Sequence, residues 1–173
     1  MSEIIITNLN DDDQYFEDVM EIFFESSTKK DFASMEERTR FLVKYLGVYV
    51  QSYPELCLVA VKEGKVLGYC CGMPHTPVEL YQLQPHLELF KDQNELYPAH
   101  LHINCHAGAR GQGVGTLLMN EFEMFMKNEG VSGIHIITSP GAKNVDFYKK
   151  LHYTHQVERN FQGTALLFLG KTL

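Results

Sequence analysis

The sequence is short of positive charge. Fifteen Lys and Arg stand against 22 Asp and Glu in 173 residues, a formal net charge of -7. A nucleic-acid surface needs clustered Lys and Arg to neutralise phosphates, so this balance argues against nucleic acid as a partner. It favours cationic small molecules or basic peptides instead. Cysteine is scarce as well: Cys57, Cys70, Cys71 and Cys105 show no C-x-x-C spacing. A zinc site needs four converging ligands, and adjacent Cys70 and Cys71 in a strand point to opposite faces, so no metal site is expected. Reduced thiols in the cytoplasm is the economical reading. The start, MSEIIITNL, has no basic stretch ahead of a long apolar one, so no signal peptide is expected. No apolar run approaches the ~18 residues of a membrane span, so no membrane partner is expected either. Repeats, linkers and low-complexity tracts are also missing.

What is present is ordinary globular composition, 45% hydrophobic and 21% charged. A chain of this size buries roughly 70% of its unfolded surface, enough for a core without staples. One domain over residues 1–173 is expected.

The elements alternate. Ile4 to Ile6 reads as a strand. Asp11 to Ser27 carries Phe16, Val19, Met20, Phe23 and Phe24 at helical spacing. The run Asp11-Asp12-Asp13 reads as the N-terminus of that helix rather than as a cation site. Ser34-Met35-Glu36-Glu37 is a capping-box pattern, and the helix behind it places Phe41, Leu42, Tyr45, Leu46 and Tyr49 on one side. Leu56 to Val61 and Val66 to Met73 form a hairpin about a turn at Lys62–Lys65. Residues 74–97 hold Pro74, Pro77 and Pro85 and read as an irregular or partly helical insertion. Ala99 to Cys105 is a strand. Val114, Leu117, Leu118, Phe122, Phe125 and Met126 form a helical stripe ending near Gly130. Ile134 to Thr138 is a strand, Asn144 to Leu151 a short helix, and Tyr153 to Val157 and Ala165 to Leu169 two last strands. This order predicts an α/β (α+β) fold with a mixed sheet and about four helices on its two faces.

Between strand and helix lies Ala109-Arg110-Gly111-Gln112-Gly113-Val114-Gly115-Thr116. Glycines at a helix start let main chain approach a ligand closely. The first helical N–H groups lack intrahelical partners and, with the helix dipole, favour an anion such as a phosphate. Arg110 adds a cation at the edge. A glycine-rich turn that merely starts a helix is the competing reading. No Lys follows the glycines, so this is no P-loop, and the third glycine of a G-x-G-x-x-G fingerprint would fall at Thr116 or Leu118.

Arg110-Gly111-Gln112-Gly113-Val114-Gly115 matches the [R/Q]-x-x-G-x-[G/A] signature of the GNAT superfamily of N-acetyltransferases. Asn144-Val145-Asp146-Phe147-Tyr148, followed by Leu151-His152-Tyr153, resembles that family's last motif block, with His152 where glycine is usual. The element order is similar to the family's from end to end. The resemblance implies a mostly antiparallel seven-stranded sheet and acetyl-CoA as co-substrate. It puts the CoA pyrophosphate on the amides of Arg110, Gly111, Gln112, Gly113, Val114 and Gly115, with the Thr116 hydroxyl adding to them. The same resemblance puts the pantetheine arm along a bulged strand at Ile103, Asn104 and Cys105, although Ala107 stands where the family often has proline. Asn144 and Phe147 join the cofactor-binding set, and Tyr148 takes the place of the family's general acid near the CoA sulfur.

The chemistry needs a deprotonated amine, a polarised thioester carbonyl and a proton for the departing thiolate. Strand alternation in Tyr97-Pro98-Ala99-His100-Leu101-His102-Ile103-Asn104 puts His100, His102, Asn104 and His106 on one face. The H-x-H pair is similar to that of serotonin N-acetyltransferase, where two such histidines serve deprotonation. A histidine titrates near neutrality, and His102 is expected as base ahead of His100, a structural role for either being the alternative. The AHLHIN strand also resembles the acetyltransferase-like domain of some O-GlcNAc hydrolases, which brings a second expectation: a catalytically silent acyl-CoA-binding or interaction module. A Cys105 nucleophile is not expected, since direct transfer is the family's usual route. The acceptor, a small-molecule amine or peptide amine, is expected to be set by residues 25–35 and 74–97. Tyr81, Phe90 and Tyr97 with Glu79, Glu88 and Glu95 are either an aromatic, anionic mouth or a solvated surface with a few packed rings. A homodimer is common in the family.

Overall fold

The computed structural model describes residues 3–173 and forms a sheet of seven strands in the order β1-β2-β3-β4-β5-β7-β6. The strands are β1 (Ile5–Asn8), β2 (Cys57–Lys62), β3 (Lys65–Met73), β4 (Ala99–Cys105), β5 (Gly133–Thr138), β6 (His155–Phe161) and β7 (Thr164–Thr172). β4 and β5 run parallel, while β1–β2, β2–β3, β5–β7 and β6–β7 pair antiparallel. Among the described residues there are six α-helices: α1 (Asp13–Ser26), α2 (Met35–Leu42), α3 (Val48–Ser52), α4 (Val78–Leu83), α5 (Val114–Asn128) and α6 (Val145–Lys150).

Six replaces the expected four for two reasons. The second expected helix is broken by a π-helical turn at Val43–Gly47, which separates α2 from α3. The proline-rich 74–97 segment folds into α4 and a 3-10 stretch, Pro85–Gln93.

The chain divides into two compact units. The first holds residues up to Met73 together with His102–Met124. Its α1 is capped by Asp12, whose carboxylate accepts from the Gln14 amide at 2.9 Å, so the acidic run does start a helix. Ser34 caps α2 by accepting from the Glu37 amide, while Glu37 reaches back to the Ala33 amide at 2.6 Å, one residue further than the box pattern expects. Glu63 (φ 51) and Gly64 (φ 75) make the tight turn between β2 and β3. Gly68 in β3 is a packing requirement: a Cβ there would lie 2.9 Å from both the Asn104 carbonyl oxygen and Cys105 Sγ. Val19, Phe23, Leu46, Tyr49, Val59, Tyr69 and Leu118 are buried in this unit.

The second unit holds Pro74–Leu101 and Phe125–Leu173. Its core centres on Phe90, Tyr97 and Phe168. His135 stacks on Phe168 (4.7 Å) and on His100 (5.5 Å), and its Nδ1–H donates to the Tyr97 carbonyl at 2.6 Å. Arg159 grips Asp92 through both guanidinium nitrogens, at 2.5 and 2.7 Å, tying the 3-10 stretch to β6. That pairing, with Gln93, holds the Asp92 carboxyl well below the carboxylate range. α6 ends in a Schellman motif: the Tyr153 amide donates to the Tyr148 carbonyl and the His152 amide to the Lys149 carbonyl. His152 occupies the left-handed position of that motif at φ 70, and Tyr153 therefore belongs to the cap rather than to β6. Gly130 at φ 73 closes α5 in the same way, as expected. Phe125, expected on the buried stripe of α5, is 39% exposed.

Candidate active site

The glycine loop follows β4 in the first unit. After Cys105 a short 3-10 turn, Ala107–Ala109, is capped by His106, whose Nδ1 accepts from the Gly108 amide at 3.1 Å. His106 thus leaves the strand face on which alternation alone had placed it and stands half exposed near Glu25. Gln112 Nε2 donates to the Gly108 carbonyl at 2.8 Å, folding the loop on itself. Gly111 (φ 77) and Gly113 (φ 83) take left-handed conformations, and nothing lies within 4 Å of where a Cβ would stand at either. The main chain is therefore open to a ligand there, and only glycine adopts both conformations cheaply. Val114, Gly115 and Thr116 open the 15-residue α5, whose first amides point toward the loop. Arg110, Gly111, Gln112 and Gly113 are exposed, Val114 is buried, and Gly115 and Thr116 are half-buried. An exposed cation, open glycine main chain and a long helix N-terminus fit a pyrophosphate by charge and by shape.

Upstream in β4, Ile103, Asn104 and Cys105 are half-buried. The pairing of β4 with β5 covers only Ala99↔Ile134 and His100↔His135, and both pairs fall in the second unit. Burial pushes the Cys105 thiol up, against the pull of the Arg110 charge, so it stays protonated and is a poor nucleophile.

A cavity of about 330 Å³ lies in the first unit, lined by Phe23, Ser26, Ser27, Thr28, Phe41, Tyr45, His102 and Asn104. The rings are in contact: Phe23–Phe41 at 5.7 Å, Phe41–Tyr45 at 4.9 Å and Phe23–His102 at 5.8 Å. Tyr45 reaches this wall from the π-helical turn, where the widened backbone shifts the side-chain register.

His102 and Asn104 meet at a buried tyrosine. Asn104 Nδ2 donates to Tyr69 Oη at 2.9 Å, and Tyr69 Oη lies 3.1 Å from His102 Nδ1. Two proton arrangements satisfy this chain. With Asn104 donating, the Tyr69 proton goes to His102 Nδ1, and His102 carries its own proton on Nε2. With the Asn104 amide turned over, Tyr69 donates to Asn104 Oδ1 and accepts from His102 Nδ1–H, which leaves Nε2 as an acceptor. Burial pushes the Tyr69 phenol well above its ordinary value, so it stays neutral in both.

Burial also lowers His102 from the ordinary 6.5 to about 4. This corrects the expectation of a neutral-range titration: desolvation penalises the imidazolium. His100 belongs to the second unit. It is 4% exposed, its Nδ1 is 3.1 Å from Thr76 Oγ1, and burial with the neighbouring His135 and His75 holds it well below the usual histidine range. Its surroundings are those of a packed core histidine.

The last motif block is in the second unit. Tyr148 on α6 is buried, packed edge-on against Phe147 (5.2 Å) and Tyr153 (6.0 Å). Asn144 precedes the helix and accepts from Thr138 Oγ1 at 3.1 Å. Of the two readings of the 74–97 aromatics, the packed one holds for Phe90 and Tyr97, which are core residues. Tyr81 accepts from Asn94 Nδ2 at 2.8 Å. Sequence reasoning missed Tyr69, which looks like any inward strand residue, and the lining set Phe23, Phe41 and Tyr45. The latter carried a signal, the i, i+4 spacing of Phe41 and Tyr45.

The chain belongs to the acetyltransferase (GNAT) family, whose sequence model matches residues 13–153. No curated protein matches the sequence. Among solved structures it is similar to the protein titled SsHAT, at 22% identity and a TM-score of 0.74 over 98% of both chains. It is similar to an N-acetyltransferase from Staphylococcus aureus, at 16% identity and 0.67 over 99% of both chains. It is also similar to a ribosomal-protein-alanine N-acetyltransferase from Brucella melitensis, at 17% identity and 0.63 over 98% of this chain and 99% of that one. At such identities the likeness is one of fold. No group of three or more metal-ligating side chains occurs among the described residues.

Proposed function

We propose that this protein is an acetyl-CoA-dependent N-acetyltransferase, the whole chain forming one catalytic domain that moves an acetyl group directly to a primary amine. The observation that carries the reading is the loop Arg110–Gly115, with Gly111 and Gly113 open and left-handed ahead of a 15-residue helix. Acetyl-CoA would supply the activated acyl group. The amides of Arg110, Gly111, Gln112, Gly113, Val114 and Gly115 hold its pyrophosphate, the Arg110 side chain and Thr116 hydroxyl add to that hold, and Ile103, Asn104 and Cys105 offer strand main chain to the pantetheine arm. Asn144 and Phe147 complete the cofactor set.

The amine nitrogen attacks the thioester carbonyl carbon, the carbon–sulfur bond breaks, and one proton must leave nitrogen while one reaches sulfur. His102 takes the first through Nε2, in the arrangement where Nδ1–H is donated to Tyr69. A base of pKa about 4 cannot strip a free ammonium whose pKa is near ~10. It acts on the nitrogen once the carbon–nitrogen bond forms, and the amine must arrive neutral. Tyr148 gives the second proton, to the leaving sulfur. A Cys105 acetyl-enzyme is not part of this route, and an unchanged intact mass after incubation with acetyl-CoA is expected.

Thermal unfolding with acetyl-CoA, CoA, NAD and ATP tests the reading. A ligand at a hundred times its Kd stabilises the fold by about 2.7 kcal/mol. A clear rise with both CoA species and little with NAD or ATP is expected. No rise with either CoA species would overturn it.

A further inference from the structure

The cavity beside His102 carries a statement about the acceptor. None of its eight lining residues is charged: three are aromatic (Phe23, Phe41, Tyr45), three carry hydroxyls (Ser26, Ser27, Thr28), and the others are His102 and Asn104. We propose, on the footing of the acetyl transfer above, that the acceptor is a small primary amine whose only cation is the reacting nitrogen and whose remainder is a single aromatic ring.

The charge argument excludes the other amine classes. A diamine or polyamine brings a second ammonium, and a buried ammonium without a carboxylate is costly. No carboxylate lines the cavity: Glu37 is paired with Lys29 at 2.5 Å, and Glu25 and Asp31 are exposed and outside the lining. The outer side of the aromatic cluster is cationic instead. Arg38 lies 3.6 Å from the Phe24 ring centroid, and Lys29 lies 5.2 Å from that of Phe32. Phe24 and Phe32 stack edge-on (5.8 Å), and Phe32 meets the lining ring Phe41 at 5.4 Å. A dication is therefore repelled as well as unpaired. A free amino acid brings a carboxylate, and no Arg or Lys lines the cavity to receive it.

The positive argument is shape and surface. Aromatic rings pack edge-on or offset against one another at centroid distances of about 4.5–7 Å and gain beyond their buried area. Phe41 and Tyr45 offer such edges from one helical face. About 330 Å³ is at the small end for ligand sites, which run from about 300 to 1,000 Å³, and it suits a small acceptor: a cavity of about 150 Å³ already holds a benzene ring, which leaves room for a short chain and the reacting group.

The test uses the full chain with acetyl-CoA and four amines: tyramine, 2-phenylethylamine, 2-cyclohexylethylamine and putrescine. The two aromatic amines are expected to show kcat/KM at least tenfold above putrescine and severalfold above the cyclohexyl analogue. Phe41→Leu and, separately, Tyr45→Leu are expected to erase most of the aromatic preference while leaving the unfolding shift with free CoA unchanged. Putrescine equal to or better than tyramine would overturn the proposal, as would an aromatic preference unmoved in both variants that fold. Calorimetric titration of tyramine and putrescine into the CoA-saturated protein separates the two claims. Tyramine bound at least tenfold tighter, with no turnover, supports the acceptor class and removes the transfer reading. Neither amine bound, with CoA bound, removes the acceptor class.

Discussion

Tyr69 is where residue chemistry decides most. Its hydroxyl is the link between Asn104 and His102, and through it the orientation of the Asn104 amide sets which His102 nitrogen carries a proton. Tyr69→Phe is expected to cut kcat by about tenfold to a hundredfold, less than the ~10²–10⁴-fold that a general acid–base group itself supplies, with the Kd for acetyl-CoA unchanged. The check that a packing role would not move is the ring nitrogen-15 spectrum of His102, which reports the tautomer; an unaltered spectrum in the mutant would remove Tyr69 from this role. Tyr148→Phe is expected to lower kcat alone, measured against calorimetric acetyl-CoA affinity, and equal turnover would end its role as acid. The pH profile follows from the depressed His102. Because it is neutral above about pH 4, kcat/KM is expected to rise toward the pKa of the amine, with no inflection near 6.5. His102→Gln should lower the plateau without moving the inflection set by the amine, and steady-state rates between pH 5 and 10 read it directly.

At the scale of elements, the turns make sharper predictions than the helices. His152 holds the left-handed C′ position of a Schellman motif at φ 70, where a side chain costs about 1 kcal/mol relative to glycine. His152→Gly is expected to raise stability by ~0.5–1 kcal/mol in urea unfolding, since glycine's extra chain entropy offsets part of the relief. Gly113→Val should do the opposite at φ 83: acetyl-CoA affinity falls at least tenfold by calorimetry, with the fold kept. The glycine loop, both hairpins and the run of β4 were legible because they depend on local rules: turn residues, alternation, and a glycine pair ahead of an apolar stripe. The break between α2 and α3 was not legible. Leu42, Tyr45, Leu46 and Tyr49 keep a helical pattern through it, and a π-turn adds one residue to a turn without leaving a mark in composition. His102 was legible as a site residue, but its low pKa was not. That comes from burial, to which residues distant in sequence, Phe23 and Tyr69 among them, contribute.

For the whole molecule, buried histidines link the fold to pH. His135 is 2% exposed and lowered from 6.5 to about 4 by burial, its hydrogen bond with the Tyr97 carbonyl opposing. Above pH 6.5 it is neutral folded or unfolded and contributes no pH dependence. As pH falls toward 4 the unfolded chain binds the proton and the folded chain does not, so stability is lost. For His135 the loss reaches about 2 kcal/mol at pH 5, and His100, held low in the same core, adds to it. Urea midpoints at pH 7.5 and pH 5 are expected to differ accordingly, and His135→Gln should shrink the difference by its own share, the rest staying with His100 and His102, even though the variant is less stable throughout. Family and element order were legible at this scale because Arg110–Gly115 and Asn144–Tyr148 sit on the expected elements. The cavity was legible only in part: Ser26–Thr28 fall in the 25–35 stretch and His102 and Asn104 on the strand already singled out, but Phe23 comes from the end of α1, and Phe41 and Tyr45 from a helix whose register shifts.

The central claim is transfer of an acetyl group through this loop and His102, and product analysis tests it most directly. The full chain is incubated with acetyl-CoA and a primary amine, and CoA thiol release and amine mass are followed together. One thiol released for each amine acetylated, abolished in Gly113→Val and greatly slowed in His102→Gln, is the predicted result. Tight CoA binding with no amine-dependent thiol release would contradict it and leave the protein an acyl-CoA-binding module.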